Sequence, residues 1–181
     1  MNTKDILRQK FSDHFEKYYK VELFDKEGFT RKNCKSCGKF FWSLTDTDIC
    51  PDQPCSSYTF IGNSIGKKLD YINTWKTIKT FFQDNDHKII NRYPVVSRWR
   101  PDLYFTVASI INFQRIAGNQ IAFQFPSNPL LVPQVCLRFN DIQNVGISGK
   151  HLTSFCMVGQ HSINNENGYW KDECINLDFE L

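Results

Sequence analysis

The chain has 181 residues, 41% hydrophobic, 15% aromatic and 23% charged, with a formal net charge of +3 at pH 7, which excludes a charge-dominated disordered chain and describes a globular one. No apolar run approaches the roughly 18 residues of a membrane-spanning helix, so no membrane association is expected. The start MNTKDILRQKF lacks the apolar centre of a signal peptide, so a cytoplasmic location is expected.

Residues 3–20 place Ile6, Leu7, Phe11, Phe15, Tyr18 and Tyr19 on one helical face with lysines opposite, predicting an amphipathic helix. Next come Cys34, Cys37, Cys50 and Cys55, spaced C-x2-C-x12-C-x4-C. Each close pair can present two thiolates from one tight turn, and two such turns complete a tetrahedron around one Zn²⁺. Gly38, Pro51 and Pro54 supply the turn chemistry. The alternative is two disulfides, which belong to an oxidising compartment. No fifth ligand is evident, so the zinc is read as structural, folding a small piece with little core of its own. Phe40, Phe41 and Trp42 are either packing for that piece or a platform for RNA bases. Cys136, Cys156 and Cys174 stand among apolar residues and read as small buried hydrophobes.

The polar stretch 62–68, with two glycines, reads as a linker, giving an amino-terminal module over 1–67 and a second body over 68–181. Residues 69–86 repeat the helical device, with Leu69, Ile72, Trp75, Ile78, Phe81 and Phe82 as the stripe and Asp70 as the cap. Residues 88–96 and 103–110 are rich in Val, Ile, Phe and Tyr and predict strands, whereas 114–129 shows no period and reads as loop with at most a short strand. Residues 130–139 and 151–162 are two further strand-like runs joined by a polar, Gly-containing loop. Residues 170–181 begin like a helix after Asp172, and the pattern then stops. A helix followed by strands joined through loops and hairpins indicates α+β with a largely antiparallel sheet.

Charge is unevenly distributed: residues 1–100 carry 18 Lys and Arg against 12 Asp and Glu, while the rest carries 4 against 7. The basic half is the expected nucleic-acid face, with clusters at Arg31, Lys32, Lys35 and Lys39, and at Arg98 and Arg100 around Trp99. Arg138 stands where the first of the last two strands meets its turn. There it offers a permanently charged, rigid fork of donors suited to a nucleotide phosphate.

Three segments in order carry a resemblance. CLRFNDIQNVGISGKHLTSF resembles motif 2 of the class II aminoacyl-tRNA synthetases, in the form found in archaeal-type alanyl-tRNA synthetases. RYPVVSRWRPDLYFTVASIINFQ resembles their motif 1 region and the strand after it. VELFDKEGFTRKNCKSCGKFFWSLTDTDICPDQPCSSYTFIG resembles the cysteine-bearing amino-terminal segment of the archaeal alanyl enzymes.

The resemblance implies a class II antiparallel sheet flanked by helices, incomplete, with a small zinc ribbon inserted. It also implies activation of alanine with ATP, carried as its Mg²⁺ complex, and transfer to tRNA(Ala). Arg138 would bind the α-phosphate and the alanine carboxylate, and Phe155 would stack on adenine. Asp141 would orient the loop and the arginine, and Lys150 and His151 would approach the phosphates. Cys156 and Gln160 depart from the family, which commonly has a glutamate at the first position and a histidine or small polar residue at the second. Motif 3, the alanine-selecting carboxylate, the tRNA-recognition helices and the editing domain find no match, so a second chain or a carboxy-terminal part is expected to supply them. Without that part no charging of tRNA is expected. The competing expectation is a non-catalytic tRNA-binding or regulatory paralogue, and Arg98, Trp99 and Arg100 are candidate RNA contacts in either case.

Overall fold

A computed structural model describes residues 2–52, 54–57, 66–147, 151–163 and 167–181. They form two units, Met1–Lys68 with Lys171–Leu181, and Leu69–Trp170. Residues 62–65 of the expected linker and Lys150 lie outside the described residues.

In the first unit the expected amino-terminal helix is divided. Helix α1 spans Thr3–Asp13, capped by the Asn2 side chain, which accepts from the Asp5 amide at 2.9 Å. Helix α2 is a single turn, Phe15–Tyr18, and His14 between them has left helical geometry at ψ 41°. Asp13 and His14 are both weak helix formers, which locates the break. Helix α3, Glu22–Glu27, follows and closes at Gly28 in the left-handed conformation, φ 81°. Strands β1 (Thr30–Asn33) and β2 (Phe40–Ser43) pair antiparallel.

The carboxy-terminal helix, numbered α5 in chain order, spans Lys171–Glu180 and serves the same unit as a source of caps. Asp172 accepts from the Glu22 amide at 3.1 Å, and the Lys171 ammonium donates to the Lys20 carbonyl at 2.8 Å. Phe24 lies 4.5 Å from Trp42 and 5.3 Å from Phe29 between ring centroids, so the unit's apolar centre is largely aromatic.

In the second unit helix α4 spans Tyr71–Asp84 with Asp70 as cap, accepting from the Asn73 amide at 2.7 Å, as the sequence predicts. Strand β3 is only Lys88–Ile89 and runs parallel to β6 (Leu130–Leu137), which in turn pairs antiparallel with β7 (Ser154–His161). The sheet order is therefore β3-β6-β7, mixed rather than wholly antiparallel. Between them lies a two-stranded ribbon, β4 (Gln114–Ala117) with β5 (Gln120–Phe123). Its two-residue turn holds Gly118 at φ 62°, a hairpin signal present in the sequence where a loop with at most one short strand was expected.

Two expected strands are corrected. Beyond Ile90, whose amide still bonds the Leu131 carbonyl at 3.0 Å, the ladder of the 88–96 segment is interrupted and a side chain holds the chain at Tyr93. Buried Gln134 accepts from the Tyr93 amide at 2.9 Å and donates to the Tyr93 carbonyl at 3.1 Å, and Pro94 has no amide to pair. The 103–110 segment makes one isolated bridge, Phe105 to Val96, then turns into a 3-10 helix over Ser109–Phe113. The core gathers there: Phe113, Leu130 and Val132 are buried together, with Ile90, Ile110 and Phe125 against them.

Gly159 on β7 admits Ser109 to the sheet surface, since a Cβ there would stand 2.6 Å from the Ser109 Cβ and closer still to its hydroxyl. Gly159→Ala is expected to cost about 1–3 kcal/mol by overpacking. Urea unfolding measures this, and Ser109→Gly in the same chain should restore part of it.

His161, beside the Ser109 hydroxyl at 2.9 Å and 5.2 Å from Phe113, is held neutral because burial drives its pKa from 6.5 down to about 4. The unfolded chain binds the proton first on acidification. The contribution is therefore complete above pH 6.5 and lost as pH falls toward 4, to an extent of up to roughly 3 kcal/mol. Denaturation midpoints followed from pH 7 to 4 should fall in the native chain and fall less in His161→Gln.

Candidate active site and metal centre

Strand periodicity decides what faces what on β6 and β7. Cys136 stands opposite Phe155, so the side chains of Phe155, Cys136 and the following Arg138 share one sheet face. The chain leaves β6 with the Leu137 amide bonded to the Thr106 carbonyl and the Arg138 amide to the Thr153 carbonyl, both at 3.0 Å. From this base the Arg138 Nε donates to the Val107 carbonyl at 2.8 Å, and the guanidinium carbon lies 5.0 Å from the centroid of the Phe155 ring. One donor is used and the planar group is laid toward a ring. Among the described residues no carboxylate forms an ion pair with Arg138.

In front of the guanidinium is a cavity of about 640 Å³ lined by Arg138, Asp141, His151 and Phe155 among others. Four of the five residues selected for nucleotide binding are thus brought to one cavity, and the fifth, Lys150, is outside the described residues. Asp141 is in the left-handed region at φ 56°, which Asp tolerates better than most residues, and opens a 3-10 turn over Ile142–Asn144. Its carbonyl accepts from the Asn144 amide at 2.8 Å, so it shapes the turn as well as lining the cavity.

Three further lining residues escaped the sequence reading: Val107, Asn140 and Leu152. Asn140 and Leu152 adjoin selected residues and were accessible by proximity. Val107 contributes a backbone carbonyl from a distant segment and carries no signal of its own.

The two departures do not line this cavity. Cys156 is paired with Val135 on the other sheet face, where its interaction with the Tyr71 phenol raises that phenol's pKa. Gln160 donates to the Tyr169 hydroxyl.

The candidate RNA contacts at Trp99 and Arg100 are corrected. Arg100 is 5% exposed, gripped by both carboxylate oxygens of Asp102 at 2.8 and 2.7 Å and bonded to Gln114. Trp99 donates its indole N–H to the Ile111 carbonyl at 2.8 Å and packs on Tyr93. Both hold the fold; Arg98 is exposed.

In the first unit the four cysteine Sγ atoms lie within 4.8 Å of one another. The Cys37 and Cys50 sulfurs are 3.8 Å apart, equal to the edge of a tetrahedron with metal–sulfur distances of about 2.3 Å. The first pair forms in the β1–β2 turn, where the Gly38 amide bonds the Cys34 carbonyl at 2.8 Å with Gly38 at φ 72°. Amide donors, chiefly that of Cys50, draw the Cys34 thiol down to about 6, while desolvation drives Cys50 the other way. Four sulfur donors at these separations fit a soft, closed tetrahedral site.

A cationic fork thus stands beside an aromatic ring at the base of an antiparallel strand pair, facing a cavity. The family described as tRNA synthetases class II (A) matches residues 76–181, and the chain belongs to it. It is 53% identical over its full length to the alanine–tRNA ligase of Nitrosopumilus maritimus (strain SCM1) and 52% to that of Cenarchaeum symbiosum (strain A), covering 20% of each. To the alanine–tRNA ligase of Methanosarcina barkeri (strain Fusaro / DSM 804) it is 46% identical over 90% of the chain and 18% of the relative. The chain thus spans about one fifth of the length of the curated relatives it matches.

Among the described residues no helix is long and apolar enough to cross a membrane.

Proposed function

We infer that this chain forms part of an alanine–tRNA ligase, in which Arg138 and its cavity take ATP for activation of alanine and a four-cysteine zinc site holds the amino-terminal unit together. The observation that carries the reading is the convergence of Arg138, Asp141, His151 and Phe155 on one cavity in a chain of this family.

Adenylate formation is an in-line attack of a carboxylate on the α-phosphate, so the protein's work is placement and charge stabilisation more than proton transfer. Arg138 is suited to that work because its Nε is already engaged, leaving the terminal amino groups to bridge the α-phosphate and the alanine carboxylate. Phe155 offers a face to adenine, and His151 with Lys150 would approach the outer phosphates. Asp141 fixes the turn from which the loop departs. The parts that select alanine, supply a second phosphate-binding arginine and hold tRNA(Ala) belong to the four fifths of the relatives' length that this chain does not cover.

Arg138→Ala is expected to lower alanine-dependent ATP–pyrophosphate exchange by about 100-fold or more when the chain is joined to the remainder of a relative. Arg138→Lys should recover little, because a point charge cannot bridge two oxyanions in one plane. Exchange unchanged by both substitutions would remove the catalytic reading and leave the chain as an RNA-binding paralogue.

For the metal, elemental analysis of the purified chain should give one zinc per molecule. Chelation should unfold the amino-terminal unit while leaving the Leu69–Trp170 signals in place. Cys50→Ala, which removes a buried ligand, should reproduce the apo spectrum.

A further inference from the structure

Arg31 stands on β1 with its guanidinium carbon 4.0 Å from the Phe15 ring centroid and 3.6 Å from that of Phe40. It is a cation held between two aromatic faces. Among the described residues its guanidinium otherwise makes one hydrogen bond, at the limit of bonding distance, 3.5 Å to the Ser12 hydroxyl, and no carboxylate pairs with it. The neighbouring lysines differ: Lys32 is paired with Asp46 at 2.7 Å, and Lys35 with Asp48.

Arg31 lines a groove of about 680 Å³ together with Arg8, Lys39, Tyr19, Phe40 and Trp42. Among the described residues no acidic one lines it. Trp42 is tied inward by Phe24 at 4.5 Å, whereas Phe40 is 53% exposed and Tyr19 48%. Of the aromatic run in the ribbon, then, one ring packs and another is presented. Arg31 and Lys39 have no carboxylate partner among the described residues, and Arg8 has only a long, exposed contact to Asp5 at 3.9 Å. Such cations beside exposed ring faces are what an unpaired nucleotide requires: a π-surface for its base and donors for its phosphate. A duplex hides its bases, and an acidic peptide has no use for the rings.

We propose that the groove between α1 and the β1–β2 ribbon binds an unpaired RNA segment, a base stacking on Phe40 beside Arg31 and the adjoining phosphates meeting Lys39 and Arg8. The choice of RNA rests on the reading of the chain as part of a tRNA ligase; the groove chemistry does not.

Fluorescence anisotropy of the 181-residue chain with a labelled single-stranded RNA hexamer tests this, beside the same sequence annealed as duplex and a polyglutamate peptide of equal charge. The single strand should bind tightest. Phe40→Ala should weaken it about tenfold, within the range of one stacked base. Lys39→Gln should reduce the slope of log affinity against log salt by about 1, the loss of one phosphate contact. Arg31→Lys keeps the charge and loses the planar stack, and should behave like Phe40→Ala. Because Phe40 is half exposed, its variant is expected to fold, and circular dichroism with zinc content checks that it does.

Equal binding of duplex and single strand, single-strand affinity indifferent to Phe40→Ala, or tighter binding of polyglutamate each overturns the proposal. Titration of ATP into the same sample separates it from the ligase reading. RNA binding sensitive to Phe40 without ATP binding sinks that reading alone, and ATP binding without Phe40-sensitive RNA binding sinks this one alone.

Discussion

The hydrogen bond from the Arg138 Nε to the Val107 carbonyl is the constraint on which the candidate site depends. An exposed arginine forfeits roughly 2 kcal/mol of rotamer entropy when it is fixed, and this bond with the Phe155 ring offsets that cost before any ligand arrives. Val107 is itself placed by its neighbour. The Thr106 amide bonds the Val95 carbonyl at 2.7 Å, its hydroxyl the Pro94 carbonyl at 3.0 Å, and its carbonyl receives the Leu137 amide. Pro94 follows Tyr93, whose amide and carbonyl both end on buried Gln134. A polar side chain in the middle of β6 thus fixes the loop that fixes the carbonyl that aims the guanidinium.

Three arginines in this chain show how partners divide structural from functional cations. Arg100 has both carboxylate oxygens of Asp102 and a glutamine amide, and is spent on holding its turn. Arg138 has one carbonyl and one ring. Arg31 has two rings and a hydroxyl at the limit of bonding distance. A carboxylate neutralises the charge a guanidinium offers to a phosphate. A carbonyl or a ring orients the group and leaves the charge in place. Formal charge does not rank these residues, because the ranking lies in partners between two and 31 residues away.

What the sequence made legible were features carried by local period and local turn chemistry. The α4 stripe with Asp70 before it, the cysteine knuckles around Gly38, and the β6–turn–β7 layout all depend on residues within one or two turns of each other. Illegible were the features decided at long range. Residues 88–96 have strand composition, yet Gln134 substitutes for a ladder from 41 residues away at Tyr93. The α5 helix shows too weak a stripe to assign to a unit, and Asp172 caps α3 across 150 residues of sequence. The β4–β5 hairpin was legible after all, since Gly118 and Asn119 form a two-residue turn signal, and its polar strands masked it.

The same period of two that assembles the cavity also keeps the chain's departures out of its lining. Phe155 and Arg138 share a face with Cys136, whereas Cys156 turns to the opposite face and meets Tyr71 from α4. The thiol at that position raises the phenol's pKa, and the Arg92 charge counteracts the rise. Replacing a carboxylate by a thiol there changes the electrostatics behind the sheet and leaves the atoms lining the cavity as they are. The thickness of the sheet weakens the effect of a charge altered on the far face without abolishing it: burial is the main cause of the raised Cys136 thiol on the cavity side, and Cys156 adds to it across the sheet.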